Sequence, residues 1–131
     1  ESLGVSLHEV GACYASQGQF AEALPWFERP IAAKEKGDVQ GRVDSDSLGA
    51  SLHHVGIFYA RQGQFAEALS WFERAVAAKG NGDVYGRVDF ESLGASLHHV
   101  GDCYARQGQF AEALPWFERA ASVQKQEGDT V

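Results

Sequence analysis

Three copies of one segment make up the chain, and this repetition constrains its fold more than any other feature. Ser47–Ala75 returns almost unchanged as Ser92–Ala120, and the more divergent Ser2–Pro30 precedes both. An equivalent leucine recurs every 45 residues, as Leu3, Leu48 and Leu93. A fixed period of this length is typical of a repeat architecture, in which each unit contacts mainly its neighbours.

Each copy contains two helical patterns of apolar residues separated by a short turn. In the second copy, the first pattern consists of Leu48, Leu52, Val55 and Tyr59. Their spacing of i, i+4, i+7 and i+11 places them on one face of a helix. The second pattern comprises Phe65, Ala68, Leu69, Phe72, Ala75 and Val76. We expect Asp44 or Asp46 to cap the first helix and Gly63 to end it in a left-handed turn. The two helices should pack as an antiparallel hairpin.

Recurring small and apolar residues predict how the hairpin and its connector pack. A glycine recurs inside the first helix, as Gly11, Gly56 and Gly101. Because a helical glycine costs about 1 kcal/mol relative to alanine, we predict a close approach of the two helices, with Gly56 facing Ala68. The glycine-rich connector 80–89 repeats residues of 37–44 in register. We expect it to be ordered, with Val84 and Val88 packed against the helices.

Composition excludes several classes of function. The net charge of −7 argues against nucleic acid and against an anionic membrane surface as partners. No apolar run approaches the length of a membrane span, and no signal peptide is visible. There is no catalytic constellation and no phosphate-binding loop, so we expect neither enzyme activity nor a cofactor.

The 131 residues are interpreted as one repeat domain, with repeats at about 1–45, 46–90 and 91–131. Because the chain has no Met and Glu1 falls at the start of a repeat, we expect it to be part of a longer array. One position holds Cys13, Phe58 and Cys103 in the three copies, which indicates a buried apolar site. With a whole repeat between them, the two cysteines should not pair, and this favours a reducing, cytoplasmic compartment.

The recurring residues resemble the signature of the tetratricopeptide repeat, in which a large residue, Leu, Gly and Tyr are followed by Ala, Phe and Ala. The second copy matches it with Leu52, Val55, Gly56, Tyr59, Ala68, Phe72 and Ala75, and the other copies match in register except that Pro30 ends the first. The usual period is about 34 residues, and the longer period here resembles the kinesin-light-chain-like subclass. Pro30 predicts a kink in the second helix of the first repeat.

The resemblance implies an all-α, right-handed superhelix of three helix hairpins whose first helices line a concave groove for a peptide or protein segment. Matched by position, the groove-facing residues are Val5, His8, Ala12, Ser16, Ala50, His53, Ile57, Arg61, Ala95, His98, Asp102 and Arg106, with His54 and His99 beside them. The carboxylate clamp of chaperone-binding members needs Lys and Asn at groove positions that hold His or Ala here, so we reject it.

Several of these residues allow two interpretations. The five histidines either form a metal or anion site or are a surface position copied by duplication, and their spacing favours no metal site. Arg61 and Arg106 either receive an acidic peptide or complement a helix dipole. Trp26, Trp71 and Trp116 are either interface anchors or, as we predict, packing residues, with Val84 or Tyr85 as the neighbours of Trp71.

Two functions remain open on the sequence: an interaction scaffold that binds a protein segment in its groove, and a self-assembly module that stacks or exchanges repeats between chains. A metal-binding protein is the weaker third. The segments 47–75 and 92–120 differ at three positions: Ile57/Asp102, Phe58/Cys103 and Ser70/Pro115. Because Ile57 and Asp102 share a groove position, we expect ligand selectivity there.

Overall fold

The repeated segments fold as a row of helices joined by short turns. The computed structural model describes residues 20–37 and 43–129, with every side chain except those at positions 20–24, 27, 30, 46 and 124–129. The helices are α1 (Phe20–Lys36), α2 (Ser45–Arg61), α3 (Phe65–Asn81), α4 (Phe90–Arg106) and α5 (Phe110–Asp129). Pairs α2–α3 and α4–α5 form the predicted hairpins of the second and third repeats, and α3 packs on α4 between them.

The boundaries of α2 and α4 follow from local capping chemistry. The side chain of Asp44 accepts a hydrogen bond from the Ser47 N–H at 3.0 Å, and Asp89 does the same for Ser92 at 3.1 Å. At the other end of α2, Gly63 has a φ of 75°, and the Gln64 N–H donates to the Tyr59 carbonyl at 3.0 Å. This left-handed glycine cap satisfies carbonyls that the helix leaves open, and the predicted cap and turn are confirmed.

The two helices of a hairpin approach closely at Gly56, as predicted, but the residue opposite the glycine is Phe72 and not Ala68. A Cβ placed on Gly56 would lie 2.6 Å from a ring carbon of Phe72, so the phenyl ring occupies the space beside the glycine. Ala68 is fully buried in the core, yet it is not the residue that requires the glycine. Gly101 and Phe117 repeat this arrangement in the next hairpin, with a closest distance of 2.9 Å.

The connector between repeats is ordered by hydrogen bonds rather than by apolar packing. Asp83 Oδ1 accepts the backbone N–H groups of Tyr85 at 2.8 Å and of Arg87 at 3.0 Å. Asp83 Oδ2 accepts from the Arg87 guanidinium at 2.9 Å. Val88 is half-buried, whereas Val84 and Tyr85 are exposed. The expectation that both valines pack inward is therefore wrong for Val84, because the aspartate folds the connector into a tight turn.

Two apolar clusters join the repeats. The first contains Ile31 of α1 together with Leu52, Val55, Phe58, Ala75 and Ala78. The second joins α3 to the following hairpin through Ala68, Phe72, Val76, Leu97, Val100, Cys103 and Ala120. Phe58 and Cys103 are both buried, which confirms the apolar slot, while Cys13 lies outside the described residues.

The predictions for Trp71 and Pro30 have different outcomes. Trp71 packs on the first cluster with its ring stacked on Tyr59 at 6.4 Å between centroids, so the expected packing role is confirmed and the expected neighbours, Val84 and Tyr85, are wrong. Helix α1 runs across Pro30 without ending, and the expected kink stays a prediction. None of the helices within 20–37 and 43–129 is both long and apolar enough to span a membrane.

Candidate functional site

A cleft of about 320 Å³ lies where the first helices of the second and third repeats meet. Helix α2 and Phe65, the first residue of α3, form one side, and α4 forms the other. Five of the seven lining residues belong to the predicted groove set. The lining residues are Ile57, Ala60, Arg61, Phe65, His99, Asp102 and Arg106. These seven residues define the cleft, and its volume is large enough for a few side chains.

The two arginines of the cleft have different surroundings. Arg106 donates from Nε to Asp102 Oδ2 at 3.3 Å, and its guanidinium lies 5.5 Å from the centre of the Phe65 ring. Arg61 occupies the equivalent place one repeat earlier, but Ile57 stands where Asp102 would be. Arg61 is exposed and has no ion-pair partner among the described residues. The cleft therefore offers one positive charge that its own acidic residue does not balance.

Four histidines of the described residues divide into a half-buried pair, His53 and His99, and an exposed pair, His54 and His98. His53 Nδ1 lies 2.8 Å from Ser96 Oγ, and its ring is 4.9 Å from that of His99. His99 stacks on Phe72 at 4.9 Å with its ring nearly parallel to the phenyl group. His53 thus lies between the repeats, and of the two only His99 reaches the cleft. His54 and His98 are exposed and do not line it.

Burial keeps the inner histidines neutral. It lowers the pKa of His53 to about 3, and nearby Lys79 and His99 add to the shift. Burial also lowers the pKa of His99, with a smaller contribution from His98. At neutral pH neither ring carries a charge, so an anion in the cleft would meet arginine rather than histidine. In the described part of the chain, no group of three or more His, Cys, Asp or Glu side chains could hold a metal ion.

Ser96 lies next to both Lys79 and His53, a combination of residue types that also occurs in the active sites of some hydrolases. Lys79 Nζ donates to Ser96 Oγ at 2.8 Å and to the Ser92 carbonyl at 3.0 Å. Ser96 is fully buried and Lys79 nearly so, and no substrate can reach the hydroxyl. Cys103 is equally inaccessible, and burial raises the pKa of its thiol to about 11. Lys79, Ser96 and His53 form hydrogen bonds that hold adjacent repeats together.

The lysine contact was missed in the sequence, although it left a signal there. Lys34 makes the same bonds one repeat earlier, to the Ser51 hydroxyl at 2.7 Å and the Ser47 carbonyl at 3.2 Å. The lysine and the serine each recur after 45 residues. This recurrence can be recognised as a contact between repeats only when the positions of the helices are known. Four residues of the predicted groove lie outside the described residues: Val5, His8, Ala12 and Ser16.

Comparisons with known proteins agree with this arrangement. Three family models, each described as a tetratricopeptide repeat, match residues 48–79, 94–126 and 4–29, which together make up more than half of the chain. No curated protein matches the chain.

Solved structures show the same fold. BtubC (BKLC) from P. vanneervenii is 17% identical with a TM-score of 0.82, over 96% of this chain and 48% of that one. The N-terminal domain of stress-induced protein-1 from C. elegans is 18% identical with a TM-score of 0.73, over 92% and 83%. The nearly identical TPR-like repeats of a Podospora anserina kinesin light chain are 29% identical with a TM-score of 0.67, over 93% and 55%.

The present chain spans about half the length of the first and third of these structures. The predicted all-α superhelix of helix hairpins is confirmed by these likenesses together with the helices of the described residues.

Proposed function

Since the chain belongs to the tetratricopeptide repeat family, we propose that it is a non-catalytic scaffold that binds a peptide or protein segment in the cleft between its repeats. The observation that carries the proposal is the unbalanced Arg61 beside the apolar Ile57. The cleft suits a segment that places an acidic side chain at Arg61 and an apolar one against Ile57 and Phe65.

The alternation of Ile57 and Asp102 gives the cleft a direction. On one side an arginine is paired with its own carboxylate, and on the other an arginine faces solvent beside an apolar surface. A bound segment in the reverse orientation would bring its acidic side chain to Arg106, where Asp102 repels it. The 45-residue period and the likeness to the kinesin light chain repeats support placement in the long-repeat subclass.

A peptide-display selection tests the proposal. Randomised peptides are enriched on the wild-type chain and then measured on Ile57→Asp, which gives Arg61 a carboxylate at the spacing seen for Asp102 and Arg106. We expect the enriched peptides to contain an acidic residue and to bind Ile57→Asp at least about tenfold more weakly, since a charge-assisted hydrogen bond is worth about 1.5–3 kcal/mol.

Tyr85→Ser is the matched control, because Tyr85 is 74% exposed on the connector and does not line the cleft. It should bind the enriched peptides as the wild type does. Equal affinity for the wild type, Ile57→Asp and the exchange variant Ile57→Asp/Asp102→Ile would show that the cleft is not the binding site. The cytoplasmic location and the division at about residues 45 and 90 stay predictions.

A further inference from the structure

The two arginines of the cleft lie at the same end of neighbouring helices. Arg61 is the last residue of α2, and Arg106 is the last residue of α4. The Arg106 guanidinium lies 5.5 Å from the centre of the Phe65 ring, and Phe65 belongs to the other side of the cleft. The Arg106 side chain therefore extends across the cleft toward the side that holds Arg61.

Both guanidinium groups have hydrogen-bond donors that the described residues do not use. Within 20–37 and 43–129, Arg61 has no ion pair, and Arg106 has one, from Nε to Asp102 Oδ2 at 3.3 Å. The Nη groups of Arg106 donate to none of these residues. Because the side chains of Arg106 and Asp102 are 58% and 40% exposed, theirs is a weak surface ion pair. It leaves the Nη groups available to a ligand.

These donors exceed the number that one carboxylate can use. A single arginine donates to both oxygens of a carboxylate, so an acidic side chain at Arg61 leaves the Nη groups of Arg106 without an acceptor. A phosphate monoester has three acceptor oxygens and a charge of about −1.5 to −2 at pH 7. Because both arginines line one cleft of about 320 Å³, a single phosphate group can accept from both.

We propose that the acidic group bound in the cleft is a phosphorylated side chain of the partner segment, held between Arg61 and the Nη groups of Arg106. This inference rests on the proposed function, and it adds the chemical class of the acidic group. Binding of the segment then depends on its phosphorylation.

The charges of the cleft favour a dianion over a monoanion. Two arginines and one aspartate line it, which leaves one net positive charge, and His99 adds none at neutral pH because burial lowers its pKa. The attraction exerted by a net positive charge grows with the charge of the ligand. Asp102 opposes this attraction from its place beside Arg106, so it limits the affinity for phosphate without cancelling it.

Peptides made in three forms test the inference. An array carries randomised sequences around one fixed position, which holds serine, glutamate or phosphoserine, and the strongest binders are then measured in all three forms by fluorescence anisotropy. On the wild-type chain we expect the phosphoserine form to bind about tenfold more tightly than the glutamate form, as one further charge-assisted hydrogen bond predicts. The serine form should bind most weakly, because it offers Arg61 no charge.

Two variants separate the second arginine from the net charge of the cleft. Asp102→Asn/Arg106→Gln removes both members of the ion pair and keeps the net charge. It should therefore bind the phosphoserine and glutamate forms equally, and the glutamate form within about twofold of the wild type. Asp102→Asn alone frees Arg106 and should raise the affinity for the phosphoserine form about threefold.

Arg74→Gln is the matched control. Arg74 is exposed, its guanidinium lies 4.6 Å from the centre of the Trp71 ring, and it does not line the cleft. Its loss removes one positive charge from the surface, as the loss of Arg106 does, but it should leave the preference for phosphoserine unchanged. Circular dichroism establishes that each variant remains folded.

Three results would each overturn the inference. The first is equal binding of the glutamate and phosphoserine forms by the wild type, and if Ile57→Asp still weakened the glutamate form, the proposed function would stand. The second is a preference for phosphoserine that survives in Asp102→Asn/Arg106→Gln, which would show that Arg106 does not hold the phosphate. The third is an equal loss of preference in Arg74→Gln, which would show a general effect of charge. If none of the three forms bound, the proposed function itself would be wrong, and this inference with it.

Discussion

Replacing Gly56 by alanine should destabilise the fold even though alanine is the better helix former. The new Cβ would lie 2.6, 2.7 and 2.9 Å from three ring carbons of Phe72, where normal carbon contacts are about 3.5–4.0 Å. Phe72 is fully buried, and His99 stacks on its ring, so the ring has no free space to enter. Either the ring or the helix must move by roughly 1 Å.

The expected magnitude follows from two opposing effects. Alanine gains about 1 kcal/mol of helix propensity over glycine. Overpacking of a rigid, buried neighbour costs about 1–3 kcal/mol, and the closeness of three ring atoms places Gly56 at the upper end. The free energy of unfolding should therefore fall by about 2 kcal/mol for Gly56→Ala.

Two other glycines provide matched controls in the same chain. Gly101 has the same relation to Phe117, but the distances are 2.9–3.1 Å and the ring is half-exposed, so Gly101→Ala should be nearly neutral. Gly80 lies inside α3 with no atom within 4 Å of an added Cβ. Gly80→Ala should raise the free energy of unfolding by about 0.5–1 kcal/mol.

Urea unfolding followed by circular dichroism measures the three variants, with midpoints compared at equal slope. From most to least stable, we expect the order Gly80→Ala, Gly101→Ala, Gly56→Ala. Adding Phe72→Leu to Gly56→Ala should remove much of the alanine effect, with a coupling energy of about 1 kcal/mol or more. If Gly56→Ala were as stable as Gly80→Ala, the contact with Phe72 would not be what requires the glycine.

Other predictions concern the groups that join and cap the helices. Because the pKa of His53 is lowered to about 3, the unfolded chain binds a proton below pH 6.5 that the folded chain does not. The free energy of unfolding should therefore be greatest above pH 6.5 and fall toward pH 3, and acid titration of His53→Gln should show a shallower decline. Lys79→Met should lower the free energy of unfolding by about 2 kcal/mol in urea, against almost no effect for the exposed Lys36→Met. Asp89→Ala should cost about 1 kcal/mol in the same assay, through loss of the cap on Ser92.

Local features of the fold could be predicted because each depends on a few adjacent residues. An aspartate three residues before a backbone N–H, or a glycine two residues after a helix, acts through short-range geometry that the sequence order already contains. The apolar spacing in each copy likewise determines which side of a helix is buried. These rules sufficed for the hairpins, for the caps at Asp44 and Asp89, and for the turn at Gly63.

Contacts between repeats could not be predicted in the same way. Whether His53 faces the groove or the next repeat depends on how far one hairpin is rotated against its neighbour, and no local rule gives that rotation. The structure turns His53 toward Ser96 and leaves His54 exposed. The predicted neighbours of Gly56 and Trp71 are wrong for a related reason. Spacing predicts which face of a helix a residue occupies, but it does not predict which side chain lies opposite.

The near-identity of two repeats indicates where the specificity of the proposed binding would lie. Of their three differences, Phe58/Cys103 fills the same buried slot with an apolar group in both copies, so the surface is unchanged. Ser70 and Pro115 are exposed on the second helices, away from the cleft. Only Ile57/Asp102 alters a surface that two repeats share, and it decides whether the arginine four residues later has a carboxylate partner. Within these segments the two copies thus keep an apolar residue at every buried apolar position and differ in charge at one cleft position. Under the proposed function, a ligand that needs an unpaired arginine would bind in one register alone.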